Sequence, residues 1–107
     1  MGPKTKELVA VLENIIVLLD KYGIDNWSKW MRESLNRINN SDFSGITHLL
    51  GAYGGMGSFN DCVLVNRSPK KEKGSTPVKD NYKFNELSSR AYSLATEIQK
   101  EVEEGEK

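Results

Sequence analysis

The amino-acid sequence predicts a mostly α-helical protein, a compact bundle of about four helices with an irregular glycine-rich segment before the last helix. Apolar residues recur at three- and four-residue spacing in several stretches, which is the pattern of amphipathic helices. Glycine, asparagine and proline separate these stretches. The chain has 107 residues, of which 37% are hydrophobic and 28% charged, so we expect one globular domain over residues 1–107.

The first helix is expected from about Thr5 to Tyr22, and Gly23 follows it in the usual place of a C-terminal glycine. Its apolar face consists of Leu8, Val11, Leu12, Ile15, Leu18, Leu19 and Tyr22. The second helix is expected to begin at Asp25 or Asn26, either of which can cap its N-terminus, and to close at residues 39–40.

The third helix is expected to begin at Ser41 and to run as far as Tyr53, with Asp42 in its first turn, where a negative charge suits the helix dipole. The last helix is expected from residue 81 or 85 to about residue 103. It carries the apolar residues Phe84, Leu87, Ala91, Leu94, Ala95, Ile98 and Val102.

A polar loop is expected at residues 66–80, and the tail at residues 104–107 should fray. The loop contains Pro, Gly, Ser and Thr, and residues 66–79 hold five basic residues against one acidic residue, Glu72. It has no interleaved aromatic residues, which single-stranded nucleic-acid binders use for stacking. We therefore interpret it as a solvated linker.

The glycine-rich segment lies between the third helix and this loop. We interpret it as a structural turn, in which Met56 and Phe59 insert into the core and the glycines supply backbone conformations closed to other residues. The motif consists of Gly54, Gly55, Met56, Gly57, Ser58, Phe59, Asn60 and Asp61. A phosphate cradle is a weaker interpretation, because the segment follows a helix and no lysine follows its last glycine.

His48 and Cys62 are the only histidine and the only cysteine. They could meet in space as a nucleophile and its base, which keeps open a small enzyme or a ligand-binding protein built on Gly51–Asp61 with His48. The apolar neighbours of Cys62 favour a buried, inert thiol instead. One His and one Cys make a poor zinc site, so we expect neither a metal nor a cofactor.

Trp27 and Trp30 lie three residues apart on the second helix, and Leu35 and Ile38 continue the same stripe. This continuity favours a place in the core. Tryptophan is also enriched in interface hot spots, so a helical adaptor or oligomer that uses this face stays open.

Charge and composition disfavour several classes of function. The 15 basic and 15 acidic residues balance, whereas a nucleic-acid binder usually has a basic excess. No apolar run is long enough to cross a bilayer. A single cysteine allows no intrachain disulfide, and the N-terminus lacks the form of a signal peptide, so we expect a cytoplasmic protein that does not bind membranes.

The segment from Leu49 to Leu64 reads Leu-Leu-Gly-Ala-Tyr-Gly-Gly-Met-Gly-Ser-Phe-Asn-Asp-Cys-Val-Leu. It resembles the Gly-Gly-Met-Gly-Ser-(Phe/Leu)-Asn-Asp signature of a family of small bacterial proteins of unknown function. The resemblance implies a helical part before the signature and a variable polar loop and a final helix after it. Cys62 stands where that family often has leucine. Small bacterial proteins of this kind are often encoded near polymorphic toxins and can serve as their immunity proteins.

Taken together, these observations favour a protein-binding module without catalytic activity. The most specific hypothesis is an immunity protein that neutralises a bacterial toxin, such as a nuclease, by occluding its active site. Acidic residues would then meet a basic enzyme cleft. The candidate partner-binding residues, mostly at predicted helix ends, are Asp20, Asp25, Asp42, Asp61, Asp80 and Glu86.

Overall fold

The computed structural model describes residues 2–53, 59, 62–64 and 78–105. In these ranges the chain forms four helices and no strand, which confirms the predicted helical bundle. The helices are α1 (Pro3–Lys21), α2 (Asp25–Asn39), α3 (Ser44–Leu50) and α4 (Val78–Gly105). Helix α1 packs against α2 and α4, and α3 packs against the same two helices, so that all four enclose one apolar core.

Helix α1 begins two residues before the expected Thr5, because Pro3 occupies its first turn, where a missing N–H costs nothing. Its apolar face supplies seven buried residues to the core. Gly23 has a φ of +68°, which glycine adopts without strain, and it ends the helix as predicted.

Three ion pairs join α1 to α4 in an antiparallel arrangement. Lys4 Nζ lies 2.5 Å from Glu101 Oε1, and Arg90 Nε lies 2.5 Å from Glu7 Oε2. Lys21 at the other end of α1 pairs with Asp80 at 2.8 Å. The first two pairs are exposed and Asp80 in the third is half-buried, so the three pairs define the register of the two helices more than they stabilise them.

The junction between α2 and α3 differs from the prediction. Ser41 has a φ of +59°, a left-handed conformation that no helix can contain, so α3 begins at Ser44 and not at Ser41. The Asp42 carboxylate accepts a hydrogen bond of 2.9 Å from the Ser44 backbone N–H at the new start. The helix ends at Leu50, three residues before the expected Tyr53.

Helix α4 is longer than expected at both ends. It begins at Val78, so residues 78–80 of the predicted polar loop are helical, and it runs to Gly105, so residues 104–105 of the predicted frayed tail are helical as well. Residues far away in the sequence stabilise its first turn, because Asp80 accepts hydrogen bonds from Lys21 and Tyr22 at the end of α1. Residues 66–77 and 106–107 lie outside the described residues.

The short segment before α4 is tied to that helix by one side chain. The Asn81 amide accepts a hydrogen bond of 2.8 Å from the Leu64 backbone N–H and donates one of 2.9 Å to the Leu64 carbonyl. This pairing satisfies both backbone groups of a fully buried residue, as a neighbouring strand would do. Leu64 therefore completes the core from outside the helices.

The closest approach of α2 and α3 requires a glycine. A Cβ at Gly45 would lie 2.8 Å from Ile38 Cγ1, 2.8 Å from the Ser34 carbonyl oxygen and 2.9 Å from Arg37 Cβ. Two of these distances are to the backbone or to the base of a side chain, which cannot move aside. The two helices are therefore closer here than any side chain would allow.

We expect Gly45→Ala to lower the free energy of unfolding by about 1–2 kcal/mol, because overpacking outweighs the better helix propensity of alanine. Urea unfolding followed by circular dichroism measures this change. Gly51→Ala is the matched control, since a Cβ there meets nothing closer than 3.3 Å and should cost less. Equal stabilities of the two variants would contradict the close approach.

Candidate functional site

A groove of about 530 Å³ lies between the end of α3 and the middle of α4. None of its lining residues carries a formal charge, and most of them present a hydroxyl group. We call it the α4 groove, and it is lined by Leu50, Tyr53, Ser88, Ser89, Tyr92, Ser93, Thr96 and Gln99.

Tyr53 forms the wall of the α4 groove on the α3 side, and three contacts fix it. Its hydroxyl donates a hydrogen bond of 2.9 Å to the Ser88 carbonyl oxygen. Its ring lies 5.6 Å from the ring of Phe59 and 5.1 Å from the ring of Tyr92, measured between centroids. Burial raises the pKa of the Tyr53 hydroxyl, so this group stays protonated and keeps donating at neutral pH.

The opposite wall of the α4 groove is a flank of α4 that is open to solvent. Tyr92 is 47% exposed, and Ser89 and Ser93 are exposed beside it. The Thr96 hydroxyl donates to the Tyr92 and Ser93 carbonyl oxygens, at 3.0 and 2.9 Å, and is therefore engaged within the helix itself. The wall is thus a rigid helix face with an accessible aromatic ring.

The surface continues from the α4 groove toward the start of α4. A second concavity of about 560 Å³ shares Ser89 and Ser93 with the groove. It adds Tyr82, which is 69% exposed, Asn85, Glu86 and Arg90, whose guanidinium pairs with Glu7 on α1. The two concavities together make one continuous face along α4, on which Glu86 and Arg90 are the charged residues.

Two of the predicted partner-binding residues already form hydrogen bonds and ion pairs with other side chains of the protein. Asp20 accepts hydrogen bonds from Ser28 and Arg32 on α2, which lower the pKa of its carboxyl group. Asp80 is held by Lys21 and Tyr22, which lower its pKa in the same way. Both carboxylates join helices, so a reversal of either charge would disturb the fold as well as any contact with a partner.

The other predicted acidic residues do not form one patch. Asp25 begins α2 and Asp42 follows its end, so the helix separates them by on the order of 22 Å. Glu86 is exposed on α4 beside the α4 groove. Asp61 lies outside the described residues. The described residues therefore do not form one acidic surface that includes all six predicted positions.

The glycine-rich motif is described only at Phe59, whereas Gly54, Gly55, Met56, Gly57, Ser58, Asn60 and Asp61 lie outside the described residues. Phe59 is 1% exposed and lies in the core. Its ring contacts those of Trp27, Tyr53 and Phe84 at centroid distances of 5.4, 5.6 and 5.3 Å. Its backbone N–H donates to the Ala52 carbonyl oxygen at 2.8 Å, which ties the motif to the end of α3.

His48 joins α3 to α2 through three contacts. Its ring stacks on Trp30 at a centroid distance of 4.2 Å, and its carbonyl oxygen accepts a hydrogen bond of 2.8 Å from Trp30 Nε1. Its Nδ1 lies 2.7 Å from the hydroxyl of the fully buried Ser34. The Ser34 hydroxyl also lies 3.1 Å from the Trp30 carbonyl oxygen, so the tautomer of His48 decides whether Nδ1 donates to Ser34 or accepts from it.

The geometry around Cys62 does not favour a nucleophile. Its side chain is half-buried, and burial raises the pKa of the thiol, so it stays protonated at neutral pH. His48 contacts Trp30 and Ser34 on α2. Among the described residues, no three His, Cys, Asp or Glu side chains cluster as metal ligands.

Sequence reasoning did not identify the α4 groove, Ser34 or Asn81. The groove has one signal in the sequence, because α4 alternates between a charged flank and an uncharged one. The uncharged flank reads Asn85, Ser88, Ser89, Tyr92, Ser93, Thr96 and Gln99. These residues recur at three- and four-residue spacing and so share a side of the helix.

We expect His48 to make stability depend on pH. Burial and the nearby Arg37 lower its pKa, against a smaller opposite effect of Glu33, so the unfolded chain binds the proton more readily. The free energy of unfolding should therefore fall as pH drops below about 6.5, the ordinary histidine pKa. Urea unfolding between pH 8 and pH 5 measures this, and His48→Asn, which retains a donor near Ser34, should flatten the curve. Identical pH profiles for the two proteins would contradict this role.

We expect Cys62 to react with a thiol reagent at least about tenfold more slowly in the folded protein than in urea, because its thiolate is scarce and half its surface is covered. The absorbance change with Ellman's reagent at pH 7.5 gives both rates. His48→Ala should leave the folded rate unchanged. Rapid labelling that His48→Ala slows would instead support the enzyme interpretation.

Comparison with known proteins gives one family match. Residues 20–70 match the model of DUF6966, a domain of unknown function. The matched range includes α2, α3 and the glycine-rich motif. No curated protein and no solved structure matches the chain. The family match concerns the central part of the chain only.

Within the described residues, no helix combines the length and the apolar composition that a bilayer span requires.

Proposed function

We propose that this protein is a non-catalytic binding module whose partner is another protein, and that it contacts this partner through the α4 groove. The observation that carries the proposal is the composition of this surface. Its eight lining residues are uncharged, although charged residues make up 28% of the chain. Interfaces lose charged residues at their centre and gain tyrosine, whereas an ordinary solvated helix face is charged.

Tyrosine and serine suit the surface of a binding module. A tyrosine brings a large contact area at a low entropic cost, and serine supplies adaptable hydrogen bonds. Tyr92 is half-exposed, and its ring rests against Tyr53, which is itself fixed by the Ser88 carbonyl. Such a ring is held in place before a partner arrives, so less conformational entropy is lost on binding.

A protein partner fits this surface better than a small molecule does. Small-molecule sites are mostly apolar and enclose their ligand, whereas the α4 groove is open and most of its lining residues carry a hydroxyl group. The face also continues past the groove to Tyr82 and Glu86. A stable protein interface covers about 800 Å² on each partner, which calls for an extended face of this kind.

In its most specific form, the proposal is that the partner is a bacterial toxin domain, such as a nuclease, and that this cytoplasmic protein protects the cell by occluding the toxin's active site. The similarity of the glycine-rich motif to that of small bacterial proteins supports this form. A nuclease cleft is basic, so exposed carboxylates at the edge of the contact would accelerate the encounter. Glu86 beside the α4 groove is placed for that role, since the cation next to it, Arg90, is paired with Glu7. Asp25 and Asp42 are exposed elsewhere.

Co-expression with the product of the neighbouring gene tests the proposal directly. If that product is a toxin, the protein should restore growth and should co-purify with the toxin domain. A protein that neither protects nor co-purifies would overturn the immunity form of the proposal. Binding that is retained when the α4 groove is blocked would overturn the assignment of the surface.

We expect Tyr92→Ala to weaken the complex by about 30-fold, the loss typical of a hot-spot tyrosine. Ser93→Arg, which places a long cation in the α4 groove, should weaken it by at least about tenfold. Asn14→Arg is the matched control, because Asn14 is an exposed polar residue on the outer side of α1. Surface plasmon resonance measures the three affinities, and equal effects of the Ser93 and Asn14 substitutions would contradict the proposed contact surface.

A further inference from the structure

A second concavity opens at the end of the bundle where α1 begins and α4 nears its end. It has a volume of about 230 Å³ and differs in character from the α4 groove, because its walls are mainly aliphatic. We call it the end cleft, and it is lined by Thr5, Ile38, Ser41, Asp42, Phe43, Ile46, Ile98 and Val102.

The floor of the end cleft is the core itself. Ile38, Ile46 and Ile98 are buried members of the apolar cluster, with exposed fractions of 4, 3 and 8%. Phe43 at the mouth is 39% exposed, which is unusual for a residue of its size. An apolar chain that entered the cleft would therefore remove apolar surface from water on both sides.

Asp42 is the one charged residue that lines the end cleft. Its position is fixed, because its backbone N–H donates to the Arg37 carbonyl oxygen at 2.9 Å and its carboxylate accepts from the Ser44 N–H at 2.9 Å. Hydrogen bonds from the side chain and the backbone of Ser44, together with the charge of Arg37, lower the pKa of the Asp42 carboxyl group. The group is therefore ionised at neutral pH.

The Asp42 charge has no ion pair within the described part of the chain. Arg37 is the nearby cation that acts on it, but the Arg37 guanidinium is engaged by Glu33 at 3.0 Å. In this respect Asp42 differs from Asp20 and Asp80, whose carboxylates pair with cations of the protein. The end cleft thus combines an apolar interior with a carboxylate that forms no ion pair with the described residues.

We propose that the end cleft receives a long cationic side chain, lysine or arginine, of the partner protein, with the aliphatic stem against Phe43, Ile46 and Val102 and the charged head beside Asp42. Such side chains bury their methylene stem on apolar surface and keep the head in a polar environment. A purely apolar residue would leave the carboxylate facing it without a partner, and an anionic residue would be repelled. The inference rests on the proposed function, since a basic toxin cleft is rich in these side chains.

The binding of small probe molecules to the isolated protein tests this inference. The n-hexylammonium ion carries the stem and the charge of lysine, while hexan-1-ol and hexanoate carry the same stem with no charge or with a negative charge. Methyl NMR signals of Ile46 and Val102 report binding of each probe. We expect hexylammonium to bind roughly threefold more tightly than hexanol, the gain of one exposed ion pair, and hexanoate to bind more weakly than both.

Two variants separate the charge from the apolar walls. Asp42→Asn keeps an oxygen that can accept from Ser44, so the fold is preserved, and it should make hexylammonium and hexanol bind equally. Phe43→Ala should weaken all three probes, with the circular dichroism spectrum as the check of folding. Asp25→Asn, at the far end of α2, is the matched control and should change nothing. The same affinity for all three probes, or a preference that survives Asp42→Asn, would overturn the proposal.

This outcome is distinguishable from a failure of the proposed function. If hexylammonium is preferred but the neighbouring gene product does not bind, the end cleft stands and the partner is a different basic protein. If the toxin domain binds and Asp42→Asn leaves both its affinity and the probe preference unchanged, the function stands and the cleft proposal fails.

Discussion

The buried ring of Phe59 is the contact on which the arrangement of the helices depends. It lies between Trp27 on α2, Tyr53 after α3 and Phe84 on α4, at centroid distances of 5.3 to 5.6 Å. Edge-to-face contacts of this kind add to the apolar area that each ring buries. Removal of a buried phenylalanine typically costs about 3–5 kcal/mol, because the cavity it leaves does not collapse. Here the loss would also remove one of the contacts that fix Tyr53 in the wall of the α4 groove.

The short α3 is held in place by contacts of three different kinds. Gly45 allows its backbone to approach α2, His48 joins it to Trp30 and Ser34, and Phe59 hydrogen-bonds to Ala52 just beyond its end. A helix of seven residues is not stable by itself, so these contacts, and not its propensity, keep it helical. Because α3 borders both the α4 groove and the end cleft, its attachment to α2 determines the shape of both surfaces.

The number and order of the helices could be predicted from the sequence, because each buries an apolar face whose spacing is visible locally. The ends of the helices could not, since they depend on distant partners. Asp80 is bound by Tyr22, 58 residues away, and Asn81 by Leu64, 17 residues away, and these contacts extend α4 beyond the expected start. For the same reason the sequence could not show which acidic residues are free to bind a partner. Asp20 is a candidate in the sequence, but in the fold its carboxylate accepts hydrogen bonds from Ser28 and Arg32. Likewise the α4 groove joins residues 35 positions apart, such as Tyr53 and Ser88.

The uncharged flank of α4 is at odds with the local requirements of a long helix, and this conflict is the physical reason to assign a function to it. Serine is a weaker helix former than alanine, by up to about 0.7 kcal/mol. The exposed Ser89 and Ser93 gain no burial in return. Glutamate, lysine or arginine at Ser89 and Ser93 would favour the helix and add solubility. Violations of local preference without a structural benefit are typical of sites shaped by binding. Within the glycine-rich motif, Phe59 shows the opposite case, because its apolar ring is buried in the core and its place there follows from packing alone.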